Sequence, residues 1–120
     1  MHLLIVVLED PDRIDDVLSA CVTLEVAGLQ VTDTQSVVGL LAAEAPIFAG
    51  LRQLVTRPRA DSKVVFGLTD EDDTLDRLTR LLRKVDLDLD AYGTGYAFTV
   101  GVSQWVGNLD LDTTWTGPAR

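Results

Sequence analysis

A single cysteine, Cys21, excludes an internal disulfide, and a single histidine, His2, excludes a histidine-rich metal centre. Positive charge is also scarce. Ten Lys and Arg stand against 19 Asp and Glu, a net charge of −9, so the surface as a whole repels nucleic-acid backbones and anionic headgroups. No nucleic-acid partner is expected. No apolar run approaches the ~20 residues of a membrane span, so no membrane insertion is expected either. The opening MHLLIVVLED has no basic n-region and no small-residue cleavage site, and is expected to be a strand rather than a leader. A cytoplasmic location fits these absences. What remains is a globular balance, 47% apolar and 24% charged over 120 residues, which suits one domain with a modest core.

Leu3 to Leu8 is an unbroken apolar run with β-branched members, the pattern of a strand covered on both faces. Asp12 is the expected N-cap of a helix whose Ile14, Val17, Leu18, Cys21 and Leu24 form one apolar stripe, with Gly28 as its stop. Leu29 to Val37 alternates as a second strand. Residues 38–62 hold two glycines and two prolines with no convincing strand, and Ile47, Phe48, Leu51, Leu54 and Val55 within them have the spacing of a short amphipathic helix. Lys63 to Leu68 restores strand character. Asp70 to Asp73 then lead into a helix striped by Leu75, Leu78, Leu82 and Val85, with Arg77, Arg80, Arg83 and Lys84 towards its negative end. In the last strand, Tyr96 to Val102, Tyr96, Phe98, Val100 and Val102 share one face. Residues 108–120 show no periodicity and are expected to form a weakly ordered tail.

The order β-α-β, long excursion, β-α-β is that of an α+β, ferredoxin-like domain over residues 1–107: two helices on one face of an antiparallel four-stranded sheet. The second sheet face has no cover from this chain. Apolar strands place side chains there as well, and at ~25 cal/mol per Å2 of apolar area their exposure is costly. Association through that face is the expected remedy.

Three stretches resemble the PII signalling proteins and their PII-like relatives (the nitrogen regulatory protein P-II superfamily). Ala27-Gly28-Leu29-Gln30-Val31-Thr32-Asp33-Thr34 is similar to the end of their first helix and their second strand. The 38–62 excursion sits where they carry the T-loop. Gly93-Thr94-Gly95-Tyr96-Ala97-Phe98-Thr99-Val100-Gly101-Val102 is similar to their B-loop and last strand. Glu44-Ala45-Pro46-Ile47-Phe48-Ala49-Gly50-Leu51-Arg52 resembles an uncharacterised PII-like branch rather than the nitrogen regulators. The resemblance implies a homotrimer with ligand clefts between subunits, a small-molecule effector such as an adenine nucleotide, and a T-loop presented to a protein partner. The sequence departs from that family in two places. Tyr96 replaces the basic residue that follows the Gly-x-Gly turn, and Val102 to Gly107 lacks the arginines that help to neutralise phosphates.

The ligand-binding candidates are thus Gly39, Gly93, Thr94, Gly95, Tyr96 and Trp105. Gly93 and Gly95 serve either as an anion nest or as a plain turn. Trp105 either packs at an interface or stacks on a ligand. Residues 37–63 carry four bases and two acids, against the sign of the rest of the chain. Arg52, Arg57, Arg59 and Lys63 therefore attract an anionic ligand or acidic partner, or else pair with a neighbouring subunit's acids. Ile47 and Phe48 dock either on a partner or on the protein's own assembly. Cys21 reads as a small core residue, no metal site is expected, and no Ser/His/Asp, Cys/His or paired-carboxylate pattern indicates an enzyme. The leading expectation is a non-enzymatic regulator. The alternatives are a ligand-free structural trimer whose loop is a permanent clamp, and a small enzyme on the same scaffold.

Overall fold

The computed structural model describes residues 1–44 and 61–109. The elements are β1 (His2–Leu8), a 3-10 turn (Pro11–Arg13), α1 (Ile14–Thr23), β2 (Ala27–Gln35), α2 (Val37–Glu44), β3 (Asp61–Thr69), α3 (Thr74–Arg83) and β4 (Gly95–Gly101). The four strands form one sheet in the order β2-β3-β1-β4, and all three pairings are antiparallel. β1 and β2 therefore run parallel with β3 between them, joined by α1. β3 and β4 likewise run parallel with β1 between them, joined by α3. The architecture is α+β and consistent with a ferredoxin-like arrangement.

One sheet face and the two connecting helices make the core. Leu4, Val6 and Leu8 of β1 and Val65 of β3 are fully buried against Val17, Cys21, Leu78 and Leu82. These are the residues that period-2 alternation in the strands and three-and-four spacing in the helices select for one side. Arg13 locks the helices together at their ends. Its guanidinium donates to Asp16 at 2.8 Å and to the Val85 carbonyl at 2.6 Å, tying the entry of α1 to the exit of α3.

The opposite face is apolar as well. The register aligns Ile5 with Phe66 on one side and Phe98 on the other, Leu3 with Leu68 and Val100, and Val7 with Val64 and Tyr96. Directly paired residues point the same way, so nine apolar or aromatic side chains share this surface. All nine are half-buried or exposed, and Tyr96 stacks on Phe98 with ring centroids 6.3 Å apart.

Several boundaries differ from the sequence reading, each for a local reason. Asp10, not Asp12, is the cap: its carboxylate accepts from the Asp12 amide at 3.2 Å and starts the 3-10 turn that precedes α1. Gly28 does not stop α1. The helix closes when Val26 N donates to Cys21 O and Glu25 N to Val22 O, with Glu25 at φ +59°, a Schellman closure with a non-glycine residue in the left-handed position. α3 closes the same way through Leu87 N to Leu82 O and Asp86 N to Arg83 O, with Asp86 at φ +62°. In both closures the following hydrophobe, Val26 or Leu87, is buried. Val85 thus leaves the helical stripe and is exposed, and Leu87 takes the core position expected of it.

Helix α2 stands where an irregular excursion was expected to begin. Ser36 starts it, accepting from the Gly39 amide at 3.3 Å, and the Leu and Ala residues that follow have high helix propensity. β3 starts at Asp61 rather than Lys63. The stretch with helical spacing from Ile47 to Val55 and most of the 108–120 tail lie outside the described residues.

Burial pushes the Cys21 thiol up to about 12. In the unfolded chain the thiol ionises from about pH 8.5, so between that value and 12 the unfolded state sheds the proton first and stability falls as pH rises. Denaturant titrations across that window are expected to show wild type losing up to ~1.4 kcal/mol per pH unit more than Cys21→Ala. Parallel pH profiles for the two proteins would contradict the burial of an un-ionised thiol.

Candidate functional site

The register brings several candidates to one end of the sheet. Leu8, the last residue of β1, is paired with Lys63 on one side and Gly95 on the other. Gln35, the last residue of β2, is paired with Asp61, the first of β3. The Gly93-Thr94-Gly95 turn, Lys63 and Asp61, where the chain returns from the 45–60 segment, therefore lie at this end, and β2 hands over to α2 there. A cleft of about 650 Å3 opens here, lined by Pro11, Asp33, Thr34, Gln35, Asp61, Ser62 and Lys63.

Lys63 is the described cation of the cleft, and its ammonium lies 2.5 Å from an Asp33 carboxylate oxygen directly across the β2/β3 ladder. Thr34 and Ser62 form the next pair, and their hydroxyls share a hydrogen bond at 2.7 Å. With Asp61 also in the lining, the described groups sum to a small negative charge. Such a lining holds polar groups of either sign through hydrogen bonds and offers one ammonium to an anion. Among the described residues, no three His, Cys, Asp or Glu side chains come together as a metal-ligand set.

The Gly-x-Gly turn has a definite backbone task. Gly95 has φ +141°, and a Cβ there would stand 2.1 Å from the Val7 carbonyl oxygen. Only glycine lets β4 approach β1 at this corner. Glu9 N donates to Thr94 O at 2.9 Å, which fastens the turn to the exit of β1. Gly93, at φ +81°, supplies the reversal before it. Gly39 lies in the first turn of α2 with its amide committed to Ser36.

Tyr96 projects onto the open apolar face beside Val7 and Phe98 rather than into the cleft. Trp105 is not brought to the cleft within the chain. β4 ends against His2, Val102 N donates to Met1 O at 3.0 Å, and by residue 109 the chain has reached Gly28 at the start of β2. Trp105 lies on that crossing, half exposed, at the other end of the sheet. Ile47, Phe48, Arg52, Arg57 and Arg59 lie outside the described residues.

Asp33, Thr34, Gln35, Asp61, Ser62 and Pro11 were not foreseen as cleft residues. Their convergence depends on strand register, which alternation alone does not set. One signal was present, opposite charges at Asp33 and Lys63 on strands flanking the excursion, as cross-strand ion pairs require.

No protein-family model matches the chain, and no curated protein sequence matches it. Among the described residues, no helix is long and apolar enough to cross a membrane.

Gly95→Ala is expected to destabilise the fold by more than about 2 kcal/mol, because it adds both a steric clash and an unfavourable backbone conformation. Gly101→Ala, where a Cβ would meet nothing within 4 Å, is expected to be near neutral. Urea midpoints for the two variants test this, and equal midpoints would remove the backbone explanation of the turn.

Proposed function

We propose that the protein is a PII-like regulatory homotrimer, not an enzyme, that senses a small anionic molecule and presents its 45–60 segment to a protein partner. An adenine nucleotide is the first effector to test. The observation that carries this reading is the meeting of the Gly-x-Gly turn, Lys63 and Asp61, where the chain returns from that segment, at one end of the sheet. A ligand at that corner sits beside Asp61, where the chain returns from the segment, so binding there is coupled to the segment through the start of β3. The nine-residue apolar face supports the trimer, since three copies facing inward would cover it and bring further residues to the clefts between them. Trp105, distant from the cleft of its own protomer, is in this reading a residue offered to a neighbour.

A second reading is favoured by the same corner's self-sufficiency. Gly95 has a backbone reason for being glycine, and Lys63 already has a carboxylate partner. Both suit a ligand-free assembly whose segment is a fixed clamp.

Thermal denaturation with ATP, ADP and AMP, together with tryptic cleavage after Arg52 and Arg59, separates the two (the Arg57–Pro58 bond resists trypsin). A regulator is stabilised by about 2.7 kcal/mol at a nucleotide concentration one hundred times its Kd, and its cleavage slows in parallel. Unchanged melting and unchanged cleavage with every nucleotide would favour the clamp.

A further inference from the structure

The Asp33–Lys63 pair suggests how the cleft selects what enters it, an inference that rests on the ligand-sensing reading above. The two partners are held very differently. The Lys63 side chain is 28% exposed and set into the cleft wall, whereas that of Asp33 is 84% exposed. Ion pairs with one partner so open to water are weak, because the carboxylate loses little by returning to solvent. An ammonium in the wall is less free to do so. Its strongest alternative partner is another anionic oxygen, placed where the Asp33 oxygen now sits.

We propose that Asp33 is a built-in competitor for an anion site at Lys63, holding the ammonium until the anionic oxygen-acid group of a ligand displaces it. Gln35 follows on the same strand face and also lines the cleft, within the same lining as the ammonium, so its side-chain amide offers a neutral hydrogen-bonding group beside the charge. Asp61, paired with Gln35, limits the charge that the described cleft accepts. Once Asp33 has swung out, one ammonium faces one carboxylate, an arrangement suited to a singly charged group such as a carboxylate or a phosphate in its monoanionic form. Neutral ligands gain nothing from Lys63 and leave Asp33 in place. Asp33 also lies three residues before Ser36, the cap of α2, so its release acts on the strand that feeds the 45–60 segment.

The test uses inorganic phosphate and acetate as probes, with glycerol as the neutral control, titrated into the full chain at low salt. Backbone amide shifts of Ser62 and Lys63 report occupancy. Asp33→Asn keeps the size of the side chain while removing its charge, and is expected to tighten phosphate and acetate by about five-fold, the range set by a weak exposed pair. Glycerol is expected to be unaffected. The same substitution in a Lys63→Gln background is expected to change nothing, which separates competition for Lys63 from a general drop in negative charge. The proposal is overturned by an unchanged anion affinity in Asp33→Asn, by an equal gain in the Lys63→Gln background, or by no anion response in any of the proteins. If nucleotides raise the melting temperature yet Asp33→Asn leaves phosphate affinity unchanged, the competitor falls and ligand sensing stands. If phosphate responds to Asp33→Asn while no nucleotide shifts the melting temperature, the competitor stands and the nucleotide reading falls.

Discussion

The sheet is apolar on both faces, but α1 and α3 cover only one. Every strand that contributes to the core through one set of side chains contributes to the open surface through the alternate set, because side chains leave a strand in opposite directions. Leu4, Val6 and Leu8 cannot be buried by the helices without Leu3, Ile5 and Val7 emerging on the other side. Phe66 and Phe98 flank Ile5 there, so the surface is continuous across three strands rather than a scatter of single hydrophobes. A contiguous patch of this kind on a small domain calls for a partner, and the simplest partner is another copy with the same patch.

The same register governs the opposite ends of the molecule. Where β1 ends, its neighbours contribute Lys63 and Gly95, so a charged group and a tight turn meet beside Asp61, the exit of the 45–60 segment. Where β1 begins, the chain after β4 crosses towards β2. The two ends divide the work. One holds the cleft, and the other carries Trp105 and the acid-rich turn before α3, where His2 hydrogen-bonds to Asp72 at 3.0 Å. Gly95 shows how closely scaffold and site are joined, since the residue that shapes the corner is also the one without which β4 does not fit against β1.

How much of this was legible in the sequence follows from which interactions are local. The strands and the two connecting helices were readable, because LLIVVL, the alternation of YAFTVGV and the leucine spacing of α3 each need only their own residues to be interpreted. Helix ends were read less well. A glycine stop was sought at Gly28, but the left-handed position is taken by Glu25 in one helix and Asp86 in the other. There the burial of Val26 and Leu87 outweighs the cost of a side chain at positive φ. α2 was missed because its signal, Ser36 followed by leucines and alanines, lies inside a stretch judged by its glycines and prolines. The cleft was only partly legible. Lys63 and the Gly93–Gly95 turn were expected at a site, but Asp33, Gln35 and Asp61 join them only through cross-strand pairing. Trp105 was expected near the cleft from its position just after β4, yet an antiparallel strand carries the chain away from that end of the sheet.

The account as a whole depends on what covers the face formed by Leu3, Ile5, Val7, Val64, Phe66, Leu68, Tyr96, Phe98 and Val100. If copies of the chain cover one another, clefts shared between protomers follow, and so does a place for Trp105 in them. Sedimentation equilibrium at micromolar concentration measures this directly. The account predicts a single species of three times the 13.1 kDa protomer mass. A folded species at the mass of one protomer would contradict it.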